Sequence, residues 1–264
     1  MEVLNRTLEV DGALLDAQLI GDVGRGTTLV FLHEGLGSVA QWKDFPQAVA
    51  AASGLAALVF SRAGYGRSSS CALPRPLAYM QDEARDVLPR VLAIAGVRDA
   101  VLVGHSDGAS IALAFAGGGA SSGLRGLVLE APHLVCEDVS VRSIAKARET
   151  YATGDLRALL AKYHGDNVDC AFRGWNDAWL DPGFRAFDLR PFLPSITAPA
   201  LVLQGEDDEY GTRAQVDAIA AASGGPVTVR MLPRCGHAPH RDQTELTLRE
   251  ILTFLTRIGA APAH

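Results

Sequence analysis

The sequence predicts an α/β fold: a mostly parallel central sheet of about eight strands, flanked by helices, with a helical segment inserted after the sixth strand. Three observations carry this reading. Short, nearly continuous apolar runs alternate with helical stretches from Thr28 onward, as they do where strands are buried on both faces. One such run, Val101-Leu102-Val103, passes into a small-residue helix through Gly104-His105-Ser106-Asp107-Gly108. Glycines on either side of a serine permit a sharp strand-to-helix reversal, because no side chain has to fit there. Strand periodicity then lapses between about residues 137 and 196, where charged, aromatic and helical stretches take over.

The elements follow in order. Residues 7–10 and 14–20 alternate about Asp11-Gly12, a pair suited to a tight hairpin turn at a sheet edge. A buried strand at 28–32 leads to a helix at 39–52 and a strand at 56–60. Next come a helix at 79–95, a strand at 100–103, a helix at 106–116 and a strand at 127–130. After the insertion the core resumes with a strand at 201–205, a helix at 212–222, a strand at 227–232 and a closing helix at 243–258. The expected division is therefore a core of residues 1–136 and 197–264 around a helical cap of residues 137–196. Gly117-Gly118-Gly119-Ala120-Ser121-Ser122-Gly123 reads as a flexible surface loop, and the tail from Gly259 to His264 as frayed.

A chain of 264 residues, 48% of them hydrophobic, can bury one large core without a second domain. Its formal charge of −6 and the lack of a basic stripe argue against a nucleic-acid partner. The apolar runs are far shorter than the roughly twenty residues of a membrane-spanning helix, and Met1 to Arg6 lacks the character of a secretory signal. A cytoplasmic protein with no membrane partner is expected, as a monomer or a homo-oligomer. Cys71, Cys136, Cys170 and Cys235 are widely scattered, without metal-ligand spacing, and reduced thiols are expected.

Ser106 would sit at a helix start, where free N–H groups and the positive end of the helix dipole favour a developing oxyanion. A serine is a weak nucleophile unless a base takes its proton. Far along the chain, Glu206-Asp207-Asp208 follows one expected strand, and Pro233-Arg234-Cys235-Gly236-His237 follows the last. Near the start, the strand at 28–32 runs directly into His33-Glu34-Gly35-Leu36-Gly37. With serine, acid and histidine in that order, each after a strand, the chain resembles the α/β-hydrolase family over nearly its whole length.

That resemblance implies the α/β-hydrolase fold and a triad of Ser106, His237 and an acid. The family acid commonly lies three residues after the glycine that ends this strand, here Gly205, which favours Asp208; Asp207 is the neighbouring option, and Glu130 a third. His33, His105, His133, His164 and His240 compete with His237 as the base, but Gly236-His237 matches the family pattern. The oxyanion hole would take N–H groups from Asp107 and Gly35, or Leu36 if the register slips. Glu34 departs from the family's usual glycine, and a carboxylate there would oppose the oxyanion unless it turns away or pairs with a cation. Asp107 is unusual too. Its backbone still serves, and its side chain is left to pair with an arginine or to contact substrate.

Glu34, Leu36, Trp175 and Trp179 are the candidate substrate-binding residues, with Phe172 and Tyr163 as further candidates for the pocket wall. No cofactor and no metal are expected. Ser61-Arg62-Ala63-Gly64-Tyr65-Gly66-Arg67-Ser68 lacks the third glycine of a dinucleotide cradle and resembles a structural loop of the family. Tyr163-His164-Gly165-Asp166-Asn167-Val168-Asp169 lacks calcium-loop spacing. The function implied is hydrolysis of a carboxylic ester or thioester of a small to medium molecule. The alternatives are a carbon–carbon bond hydrolase of ring-cleavage products, an acyltransferase or cofactor-free haloperoxidase, and a non-catalytic ligand-binding protein on the same fold.

Overall fold

A computed structural model describes residues 1–119 and 122–261. Ala120 and Ser121 of the glycine-rich run, and Pro262 to His264 of the tail, lie outside the described residues. The eight strands are β1 (Val3–Val10), β2 (Ala13–Ile20), β3 (Thr27–Leu32), β4 (Ala56–Phe60), β5 (Asp99–His105), β6 (Leu124–Glu130), β7 (Ala200–Gly205) and β8 (Val227–Leu232). They form one sheet in the order β1-β2-β4-β3-β5-β6-β7-β8. The hairpin β1–β2 closes on Asp11 and Gly12, both left-handed as a two-residue turn requires. Its two strands pair antiparallel, as do β2 and β4, and the remaining pairings in the sheet are parallel.

Side chains alternate between two cores because successive strand residues point to opposite faces. On one face, Val30, Leu32, Leu102 and Leu129 pack with α2 (Tyr79–Asp82), α3 (Leu88–Ile94), α4 (Asp107–Gly117) and α8 (Arg213–Ala222). On the other, Leu29, Phe31, Val101 and Val103 pack with α1 (Phe45–Ser53) and α10 (Thr244–Arg257). Between β6 and β7 stand α5 (Asp138–Thr153), α6 (Leu156–His164) and α7 (Val168–Leu180). In α7 the residues Val168, Ala171, Phe172, Trp175 and Trp179 recur at helical spacing, and all are buried.

Two sequence-based expectations need correction. The helix expected at 39–52 is a 3-10 turn at Val39–Trp42 followed by α1. Lys43 is left-handed between them (φ 50°), and Pro46 can open a helix but cannot continue one. The helix expected at 79–95 contains a π turn at Glu83–Val87, just before Pro89, whose ring nitrogen has no proton for the helical ladder. Cys71 and Cys170, far apart in sequence, are both free, their Sγ atoms 2.8 Å apart where α7 meets the loop before α2. The chain also forms a short helix the sequence reading missed, α9 (Pro239–Asp242). No helix among the described residues is long and apolar enough to cross a membrane.

Candidate active site

Ser106 stands between β5 and α4 in a strained conformation (φ 53°, ψ −116°), so it is not the first helical residue; α4 starts at Asp107. Such a backbone state costs on the order of 1–3 kcal/mol and persists only where its surroundings fix it. Those surroundings are tight. A Cβ at Gly108 would overlap the Leu32 carbonyl, and one at Gly104 would come within 2.6 Å of the Ala109 amide nitrogen. The Ser106 amide donates to the Glu130 carbonyl at 2.8 Å, pinning the turn to β6.

His237, on the loop after β8, bridges the serine and an acid. Its Nε2 lies 2.9 Å from Ser106 Oγ, and its Nδ1 lies 2.9 Å from both carboxylate oxygens of Asp208. The neutral tautomer that satisfies both contacts carries its proton on Nδ1, donating to Asp208, while Nε2 accepts from the serine hydroxyl. Asp208 is itself held by Gln204 Nε2 at 2.6 Å and the Tyr210 amide at 2.7 Å. Burial pushes its carboxyl up, but His237, the Tyr210 amide and His133 together outweigh burial and hold it at about 2.

The competing acids are elsewhere. Asp207 is exposed. Glu130, fully buried, bonds His240 Nδ1 at 2.7 Å. Gln204 escaped the sequence reading, although a glutamine near the end of an otherwise apolar strand, four residues before the acid, was the signal available.

The amides of Gly35 and Asp107 have no protein acceptor among the described residues, and both residues flank Ser106: Gly35 lines its cavity and Asp107 follows it in the chain. The Asp107 side chain points away from that cavity, fully buried, and accepts a short hydrogen bond from the Tyr79 hydroxyl. Trp179 Nε1 donates to the same hydroxyl at 3.0 Å. A Cβ on Gly35 would overlap the Trp175 indole. Gly35→Ala is therefore expected to lower kcat/KM about 100-fold by displacing the loop or the indole, with a thermal unfolding transition retained; steady-state kinetics beside a melting curve checks both.

Glu34 meets a cation, as its position required. Its Oε2 lies 3.4 Å from Nδ1 of His105, which is 3% exposed, and His105 Nε2 donates to the His237 carbonyl at 2.7 Å. Burial disfavours the His105 imidazolium, but Glu34 and Glu130 more than offset it, and the ring titrates above its usual 6.5. Burial likewise raises the Glu34 carboxyl, yet His105 holds it well below the carboxylate range. The carboxylate and imidazolium largely cancel beside the oxyanion region.

Ser106 and His237 open into a cavity of about 260 Å³, walled by Gly35, Leu36, Trp175 and Trp179. Glu34, Gln41, His105, Ala238 and Arg241 are shared with an adjoining cavity of about 500 Å³, which Tyr163 also borders. Phe172 does not reach either one; it stacks on Tyr151 within the inserted helices, 3.6 Å between ring centroids. Ile144 of α5, Leu160 of α6 and His133 complete the wall around the serine, and the sequence reading passed over the first two because one apolar residue on a helix looks like any other.

A model of the alpha/beta hydrolase family matches residues 29–250. No curated protein matches the sequence. Solved structures align over nearly the whole chain. The 2-hydroxy-6-oxo-6-phenylhexa-2,4-dienoate hydrolase of Rhodococcus sp. strain RHA1 covers 98% of this chain and 99% of its own, at TM-score 0.78 and 14% identity. A thermophilic esterase from Thermogutta terrifontis gives 0.71 and 19%, over 97% and 99% of the two chains. Proline iminopeptidase from Mycobacterium smegmatis gives 0.72 and 19%, over 97% and 98%. At these identities the likeness extends to the fold. With the family match spanning most of the sequence, and a serine, histidine and aspartate in hydrogen-bonded series at the turn between β5 and α4, the chain belongs to the alpha/beta hydrolase family and carries a hydrolase-type active site.

Proposed function

We propose that the protein hydrolyses carboxylic esters or thioesters of small to medium molecules through an acyl-enzyme, with residues 137–196 as a cap over the site. One observation carries the reading: His237 spans 2.9 Å to the Ser106 hydroxyl and 2.9 Å to Asp208. Ser106 Oγ attacks the substrate carbonyl as His237 Nε2 takes its proton, and Asp208 stabilises the imidazolium that forms. The Gly35 and Asp107 amides hold the oxyanion. His237 then protonates the departing alcohol or thiol and afterwards activates the water that releases the acid. Trp175 and Trp179 exclude bulk water from the carbonyl.

Carbon–carbon bond hydrolysis is the second reading, favoured by the close superposition on a ring-cleavage hydrolase from Rhodococcus. Substrate comparison separates the two. Intact-mass analysis after exposure to a fluorophosphonate tests the shared step: a single adduct is expected on the native chain and none on Ser106→Ala, with labelling of His237→Ala slowed to near background. Absence of an adduct on the native chain would remove the serine-nucleophile reading altogether.

A further inference from the structure

The imidazole of His133 makes no hydrogen bond with any described residue, although the residue is 2% exposed. Its backbone is fixed, the carbonyl accepting from Ser110 Oγ at 2.7 Å. The ring stands between the Trp179 indole, edge-on at 5.0 Å, and the His237 ring at 5.4 Å between centroids. Nδ1 is buried without a partner, Nε2 is bonded to no described residue, and the residue lines the same cavity as Ser106. A cavity-lining imidazole without a protein partner is matched when a ligand supplies one.

Resting on the esterase reading above, we infer that His133 sets the acyl specificity: the acyl group is short and carries a neutral hydroxyl or keto oxygen that hydrogen-bonds to His133. The occupant is the acyl group because the acyl-enzyme stays attached to Ser106, which lines this cavity and not the adjoining one. It is short because the cavity holds about 260 Å³, below the usual range for drug-sized ligands, with Ile144, Leu160, Trp175 and Trp179 on its wall. The oxygen is neutral for two reasons. Burial, with His237 and His105 close by, pushes His133 down to about 3, so the ring offers a hydrogen bond without a charge. An anionic acyl group would meet Arg241 on the cavity wall but also Glu34 and Glu209 there, with Asp208 behind His237.

The test compares 4-nitrophenyl butanoate with 4-nitrophenyl 3-hydroxybutanoate, which differ by one hydroxyl, on the native enzyme, His133→Phe and His133→Gln. Each protein is first checked for fluorophosphonate labelling. The native enzyme is expected to prefer the hydroxy ester by about 100-fold in kcat/KM, the scale of leaving one buried polar group without its hydrogen bond. In His133→Phe the ratio should fall to near one, since phenylalanine fills the space without a polar atom. His133→Gln, which restores a hydrogen-bonding group, should recover part of it. A native ratio near one, or a ratio that His133→Phe leaves unmoved, overturns the assignment of His133. Turnover of neither ester by a chain that still labels overturns the ester reading instead.

Discussion

Ser106→Ala and His237→Ala are each expected to lower kcat/KM on an activated ester by about 10⁵-fold, and the double substitution by no more than either one alone. The reason is mechanical. The hydroxyl attacks only as the imidazole 2.9 Å away removes its proton, so once either is gone the other has nothing to do. What is expected to remain in all three variants is catalysis by the proposed oxyanion hole, the Gly35 and Asp107 amides, and by substrate positioning, on the order of 10³-fold over water. Asp208→Asn keeps the nucleophile and the base but reverses the hydrogen-bond demand on His237 Nδ1, favouring the wrong tautomer; a loss of about 10⁴-fold is expected. Initial rates for the two single variants and the double variant decide the matter: losses that multiply would mean that serine and imidazole act in separate steps.

Much of this site was legible before any coordinates, because the residues that carry it sit where local rules speak clearly. Gly104 and Gly108 mark a turn that excludes side chains, and each partner follows an apolar strand too short to be a helix. The preference for Asp208 over Asp207 came from the family resemblance, through its spacing after Gly205. The unread part depends on contacts between segments distant in sequence. That Glu34 would find its cation in His105, 71 positions later, or that His133 would face the cavity without a partner, is decided by how β3, β5 and β6 stack side by side. The cap is similar. Its helices were expected as a block, yet which of their apolar residues reach the serine follows from how α5, α6 and α7 pack, and periodicity within one helix does not encode that.

Glu34→Gln is expected to destabilise the protein by about 2 kcal/mol near pH 6 and by less as pH rises through the folded value of His105. Removing one member of a buried ion pair strands the other, at a cost of about 3–5 kcal/mol for full burial; the Glu34 side chain keeps 24% exposure, which puts it below that range. The pH dependence follows from both partners. His105 is shifted upward, so its contribution is complete below about 6.5 and fades as pH rises through its folded value. Glu34 is shifted downward, so its contribution is complete above about 4.5 and is lost as pH falls toward its folded value. The difference in unfolding free energy between native and Glu34→Gln proteins should therefore peak between about pH 4.5 and 6.5 and decline on both sides. Urea unfolding at several pH values, extrapolated linearly to water, measures it. A difference constant with pH would assign Glu34 a packing role over Gly37, where its carboxylate also lies. A peaked difference would identify the pair as an electrostatic clasp. Through the His105 bond to the His237 carbonyl, that clasp ties the oxyanion loop, the nucleophile turn and the base loop into one unit, and turnover should decline at the same pH values where the clasp opens.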